Sequence, residues 1–142
     1  MISRILVPMD DSEMAEKALE DALENHPDAD VTVLHVVGVP TAFMGEATSL
    51  ALEDDLEEVA EGRAEAVFER AREVAAEHDA ELETEFALGQ PARAIVRRAE
   101  AYDAVVLGSH GRHGGDVLRR YLVGNVAKTV FNRSPVPVTV VR

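Results

Sequence analysis

The chain has 142 residues, room for one sizeable hydrophobic core, so a single domain over residues 1–142 is expected. A formal net charge of −13 argues against nucleic acid or an anionic membrane as partner, because either needs a basic surface that releases counterions. The absence of cysteine excludes disulfides, thiolate catalysis and zinc–thiolate sites, and the longest apolar runs are strand-sized, too short to cross a membrane as helices.

Ile2 to Pro8 reads as a short apolar strand, and Asp10, Asp11 and Ser12 follow as turn and helix-capping residues. The surrounding MISRILVPMDDSE lacks the charged-then-apolar layout of a secretory signal, so a cytoplasmic protein is expected. From Met14 the apolar positions Met14, Ala15, Ala18, Leu19, Ala22 and Leu23 fall at helical spacing, and Asn25 to Pro27 stops the helix. Val31 to Val37, VTVLHVV, is β-branched without polar alternation, as a strand covered on both faces should be. A loop from Gly38 to Ser49 leads to a long, acid-rich helix from about Leu50 to His78, with Leu52, Leu56, Val59, Ala60, Val67, Ala71 and Val74 as its apolar positions.

Glu81 to Leu88 alternates, with Leu82, Thr84, Phe86 and Leu88 on one side, and reads as an edge strand. Gly89 ends it, Pro91 suits the first turn of a helix, and Ile95, Val96 and Ala99 mark that helix's buried side. Asp103 to Gly108, DAVVLG, is a further buried strand. A helix beginning near Leu118 or Leu122 then packs through Leu122, Val126, Ala127 and Val130. The closing strand, Val136 to Val141, follows Pro135 and contains Pro137, which cannot donate ladder hydrogen bonds and so points to a sheet edge. Strand, helix, strand repeated in this way predicts an α/β domain with a parallel sheet.

In such a sheet the ligand crevice lies at the carboxyl ends of the strands, where the winding reverses. If the first and fourth strands are neighbours, Asp10 and Gly108 face each other across it. The stretch LGSHGRHGGDVLRRYLVGN, Leu107 to Asn125, carries five of the nine glycines. Backbone N–H groups there, helped by Arg112, Arg119 and Arg120, either hold a phosphate at a helix mouth or simply turn the chain between packed elements. Asp10 at the strand end meets a ligand in the crevice, caps the first helix, or does both. His110 and His113 suggest a metal, but no third ligand is evident, and His35 inside a buried strand reads as a hydrogen-bonded structural histidine. No motif places a nucleophile beside a base, so a binding and regulatory module is expected, not a dedicated enzyme. Two lysines against twelve arginines, with acid strewn along whole helices, resembles proteins of salt-rich cells.

These motifs together resemble the universal stress protein family over essentially the whole chain. Val7, Pro8, Asp10 and Ser12 match its VPxDxS-like opening, and Leu34, His35 and Val36 its LHV strand. Gly89 and Pro91 match its GxP, DAVVLGSHGR its fourth strand and loop, and PVPVTVVR its close. The resemblance implies a five-stranded, Rossmann-like sheet of order 3-2-1-4-5 with helices on both faces, and a homodimer paired antiparallel through strand 136–141. In one branch of the family it implies ATP, with magnesium, held by a GxxG, nine-residue, G-Ser/Thr pattern. The positions so implied are Pro8, Met9 and Asp10, Val36, Leu107 and Gly108, then Gly111, Arg112, Gly124 and Asn125. Asp10 and Val36 would flank ribose and base, while the N–H groups near Gly111, Gly124 and Asn125 hold phosphates. The chain departs from the pattern twice: twelve residues separate Gly111 from Gly124, and Asn125 replaces the hydroxyl residue. The alternative is therefore a dimeric stress-response scaffold that binds no nucleotide.

Overall fold

The computed structural model describes residues 2–38, 46–110 and 124–142, the side chains of 46–57 excepted. In chain order these form β1 (Arg4–Pro8), α1 (Glu13–Asn25), β2 (Asp30–Val37), α2 (Glu46–Glu77), β3 (Glu83–Leu88), α3 (Pro91–Ala99), β4 (Ala104–Gly108), α4 (Asn125–Arg133) and β5 (Val138–Val141). The strands make one parallel sheet of order β3-β2-β1-β4-β5, with Pro8 opposite Leu34 and Gly108 opposite Val141. This is the α/β order implied by the resemblance, and it puts the reversal of winding between β1 and β4.

Side-chain alternation along each strand splits the core into two layers. Ile5, Val7, Val31 and Val33 pack under α1 and α2, while Leu6, Leu34, Val105 and Leu107 pack under α3 and α4. Burial on both faces explains why these strands read as unbroken apolar runs. The start of β1 is tied to the start of β4 by Asp103, whose Oδ2 accepts from the Ser3 and Arg4 N–H groups at 2.9 Å each. These bonds, Ser3's first, stabilise the ionised form and hold the Asp103 carboxyl below its usual range.

Several boundaries differ from the sequence reading. The long helix begins at Glu46, so the last residues of the expected loop are its first turn, and residues 39–45 lie outside those described. Val59, expected on its packing face, is 54% exposed, because the buried seam runs through Ala60, Ala64, Val67, Phe68, Ala71 and Val74. α4 starts at Asn125, later than the expected Leu118 or Leu122, because Gly124 is extended (φ −64°, ψ 160°) and serves as the N-cap. Val126 faces outward at 41% exposure, while Ala127 and Val130 are buried as expected. β3 begins at Glu83 rather than Glu81, and its Leu88 is 39% exposed. β5 is shorter than expected and begins after Pro137, whose carbonyl accepts from Val105 N–H at 2.9 Å although its own nitrogen cannot donate.

Candidate functional site

Beyond the strand ends lies a crevice of about 1100 Å³, walled by the exits of β1, β2 and β4, the first turns of α1, α3 and α4, and the middle of α2. Its floor is fixed by local chemistry on the β1 side. Asp10 Oδ1 accepts from Ser12 N–H at 2.9 Å, and Ser12 Oγ accepts from Ala15 N–H at 3.1 Å, so a turn and an N-cap launch α1 immediately after β1. The capping role foreseen for this segment is thus present.

On the β4 side the chain must pass close to other backbone. A Cβ on Gly108 would lie 2.8 Å from Met14 Cγ and 3.0 Å from the Met14 carbonyl carbon and oxygen, so only glycine lets α1 approach β4. A Cβ on Gly124 would meet the Ser109 carbonyl oxygen at 3.1 Å, and the Gly124 N–H donates to that same oxygen. The mouth of α4 is therefore pinned to the exit of β4. Among the described residues no side chain caps it, so the first-turn N–H groups and the positive end of the helix dipole suit an anion. Next to it, Ser109 Oγ and His110 Nδ1 are hydrogen-bonded at 3.0 Å, and Ser109 is buried.

Pro8, Met9, Asp10, Val36, Leu107, Gly108, Gly124 and Asn125 all border this one crevice. Gly111 and Arg112 lie outside the described residues, as do His113, Arg119 and Arg120. Arg63 and Arg70 of α2, which were not among the expected site residues, also line the crevice, two turns apart on one helix face. Arg70 is held by Glu16 at 2.7 and 3.2 Å and by Glu73 at 2.8 Å, which makes its protonated form still harder to lose. Arg63 makes no ion pair among the described residues. Arginines at this spacing in an acid-rich helix were the available signal. Among the described residues no group of three acidic or histidine side chains is placed to hold a metal, and no helix is long and apolar enough to cross a membrane.

A five-stranded parallel sheet of this order with helices on both faces defines the class of adenine nucleotide alpha hydrolase-like α/β proteins. Within that class the chain belongs to the universal stress protein family, whose sequence profile matches residues 1–142. It is 31% identical over 160 residues to universal stress protein YxiE of Bacillus subtilis strain 168, with 100% of each chain covered. The structure of UspA from Lactobacillus plantarum superposes with TM-score 0.80 at 29% identity, covering 99% of this chain and 98% of that one. The fold is also that of a universal stress protein from Archaeoglobus fulgidus solved in complex with dAMP, at TM-score 0.64 and 21% identity, covering 100% of this chain and 98% of that one.

Proposed function

We propose that this protein is a regulatory stress-response module that binds an adenine nucleotide, with ATP and its magnesium as the leading ligand, in the crevice between β1 and β4. The observation that carries the reading is the mouth of α4, capped by no described side chain, locked to β4 through Gly124 and sharing one crevice with Asp10 and Val36. In this reading the first-turn N–H groups of α4 receive phosphate and Asp10 accepts from ribose. Val36, Leu107 and Ile95 give apolar surface to the base, which suits a site that buries most of its ligand. Magnesium arrives on the phosphates. The dAMP complex of the A. fulgidus protein is a precedent within the fold. The protein acts by binding, not as a dedicated enzyme, and it works as a homodimer joined through β5.

Titration calorimetry with ATP, ADP and AMP, with and without magnesium, tests this. Asp10→Asn keeps the Oδ1 acceptor used by Ser12 and removes the charge; it is expected to weaken ATP about tenfold, ~1.4 kcal/mol. The scaffold alternative draws on the longer Gly111-to-Gly124 spacing and on Asn125. It predicts no heat and no thermal stabilisation at millimolar nucleotide, since a ligand bound only by the folded state must raise stability.

A further inference from the structure

Strand alternation puts His35 on the same face of β2 as Val31 and Val33, at the end where that core layer gives out into the crevice. Its Nδ1 lies 2.8 Å from the Met9 carbonyl oxygen. A carbonyl oxygen only accepts, so Nδ1 carries the proton, and in the neutral ring Nε2 is left as an acceptor. Nε2 has no hydrogen-bond partner among the described residues, where no buried side-chain nitrogen goes unsatisfied. The half-buried ring lines the crevice. The same residue is held from both sides, because Met9 N–H donates to the Leu34 carbonyl at 2.8 Å. Ring, Met9 peptide and the adjoining Asp10 therefore form one rigid unit at the crevice floor.

We infer that His35 is a specificity-determining residue of this crevice. Its Nε2 accepts a hydrogen bond from a donor on the nucleoside, either the exocyclic amine of the base or a ribose hydroxyl. The inference rests on the nucleotide reading above. A neutral acceptor fixed in place rejects a ligand that offers it an oxygen instead of a donor, because both groups are then left unpaired. The carboxylates of Asp10, Asp11 and Glu16 and the guanidinium groups of Arg63 and Arg70 share the crevice, but none replaces an uncharged acceptor at this position.

Two variants separate the two nitrogens. His35→Asn keeps an amide donor near Nδ1 and loses Nε2, whereas His35→Gln carries its amide oxygen out to the position of Nε2. Calorimetry with AMP, IMP, 2′-deoxy-AMP and 3′-deoxy-AMP is run on wild type and both variants, beside thermal unfolding and 15N NMR of the imidazole. The expected result is an Nδ1–H tautomer in the free protein, an unchanged melting temperature for His35→Asn, and AMP weakened about tenfold in it. His35→Gln should recover part of that loss. One analogue, weak to wild type and no weaker to His35→Asn, identifies the donor: IMP the amine, a deoxynucleotide the hydroxyl. An Nε2–H tautomer, an AMP affinity untouched in His35→Asn, or an equal loss for all four ligands would overturn the assignment. Failure of wild type to bind any nucleotide overturns the functional reading and this inference together; binding by wild type that His35→Asn leaves alone overturns this inference only.

Discussion

At the scale of single residues, the bonds that close this fold join positions far apart in the chain, and this decides what a sequence can show. Asp103 reads from sequence only as the residue before an apolar strand, yet its carboxylate collects two backbone N–H groups about 100 residues away. Nothing local announces that. The consequence for stability has a definite sign. Because the folded state holds the carboxyl below its unfolded value, the contribution is complete above the usual carboxylate range and is lost as pH falls through the lowered folded value. Asp103→Asn keeps an acceptor oxygen and removes the charge. It should therefore be less stable than wild type near neutrality, and the gap should close below about pH 4. Urea titrations of both proteins from neutral to acid pH check this, and a gap independent of pH would contradict it. By contrast Gly108, Gly124, Asp10 and Ser12 were legible, because tight approaches and caps select residue types that stand out in a row of letters.

Among elements, legibility follows burial. β1, β2 and β4 are covered on both faces and were read almost to the residue, since two apolar layers leave a continuous apolar run. α2 was harder. Its seam falls at Ala60, Ala64, Val67, Ala71 and Val74, and Val59 stands one residue off it, close enough in sequence to be counted and on the wrong side in space. Phe68, beside Val67, is buried at 5% exposure in the layer beneath α1 and α2. Phe68→Ala should cost about 3–5 kcal/mol through lost burial and an unfilled cavity. Val59→Ala should stay within about 0.5 kcal/mol of wild type, as surface changes do. Chemical denaturation midpoints measure both, and similar losses would mean that the seam lies elsewhere. The start of α4 was misjudged for a related reason. Apolar spacing runs on through Leu118 and Leu122, whereas the backbone of Gly124 is extended, and backbone geometry leaves no periodic trace.

For the molecule as a whole, the two sheet edges differ in a way that bears on assembly. β3 carries Glu83 and Glu85, the latter paired with Arg98, and charge on an edge discourages further pairing. β5 is VTVV, without a charge, and the helix before it exposes Phe131 at 61%. The proposed two-fold contact therefore belongs at β5, where like strands pair and close the edge. Against it stands the electrostatic cost of bringing together two chains of net charge −13. Salt shortens the reach of that repulsion from about 10 Å at 0.1 M to about 3 Å at 1 M, while strand hydrogen bonds and apolar contact are little screened. The dimer should accordingly tighten as potassium chloride is raised across that range, by roughly tenfold or more in dissociation constant. Thr139→Glu, which places a new negative charge on an exposed position of β5, should weaken the dimer further, most strongly at low salt. Sedimentation equilibrium at several salt concentrations reads the outcome directly. A monomer at every salt concentration would remove the β5 contact, and a dimer that loosens with salt would show that ion pairs, not an uncharged strand edge, hold the protomers together.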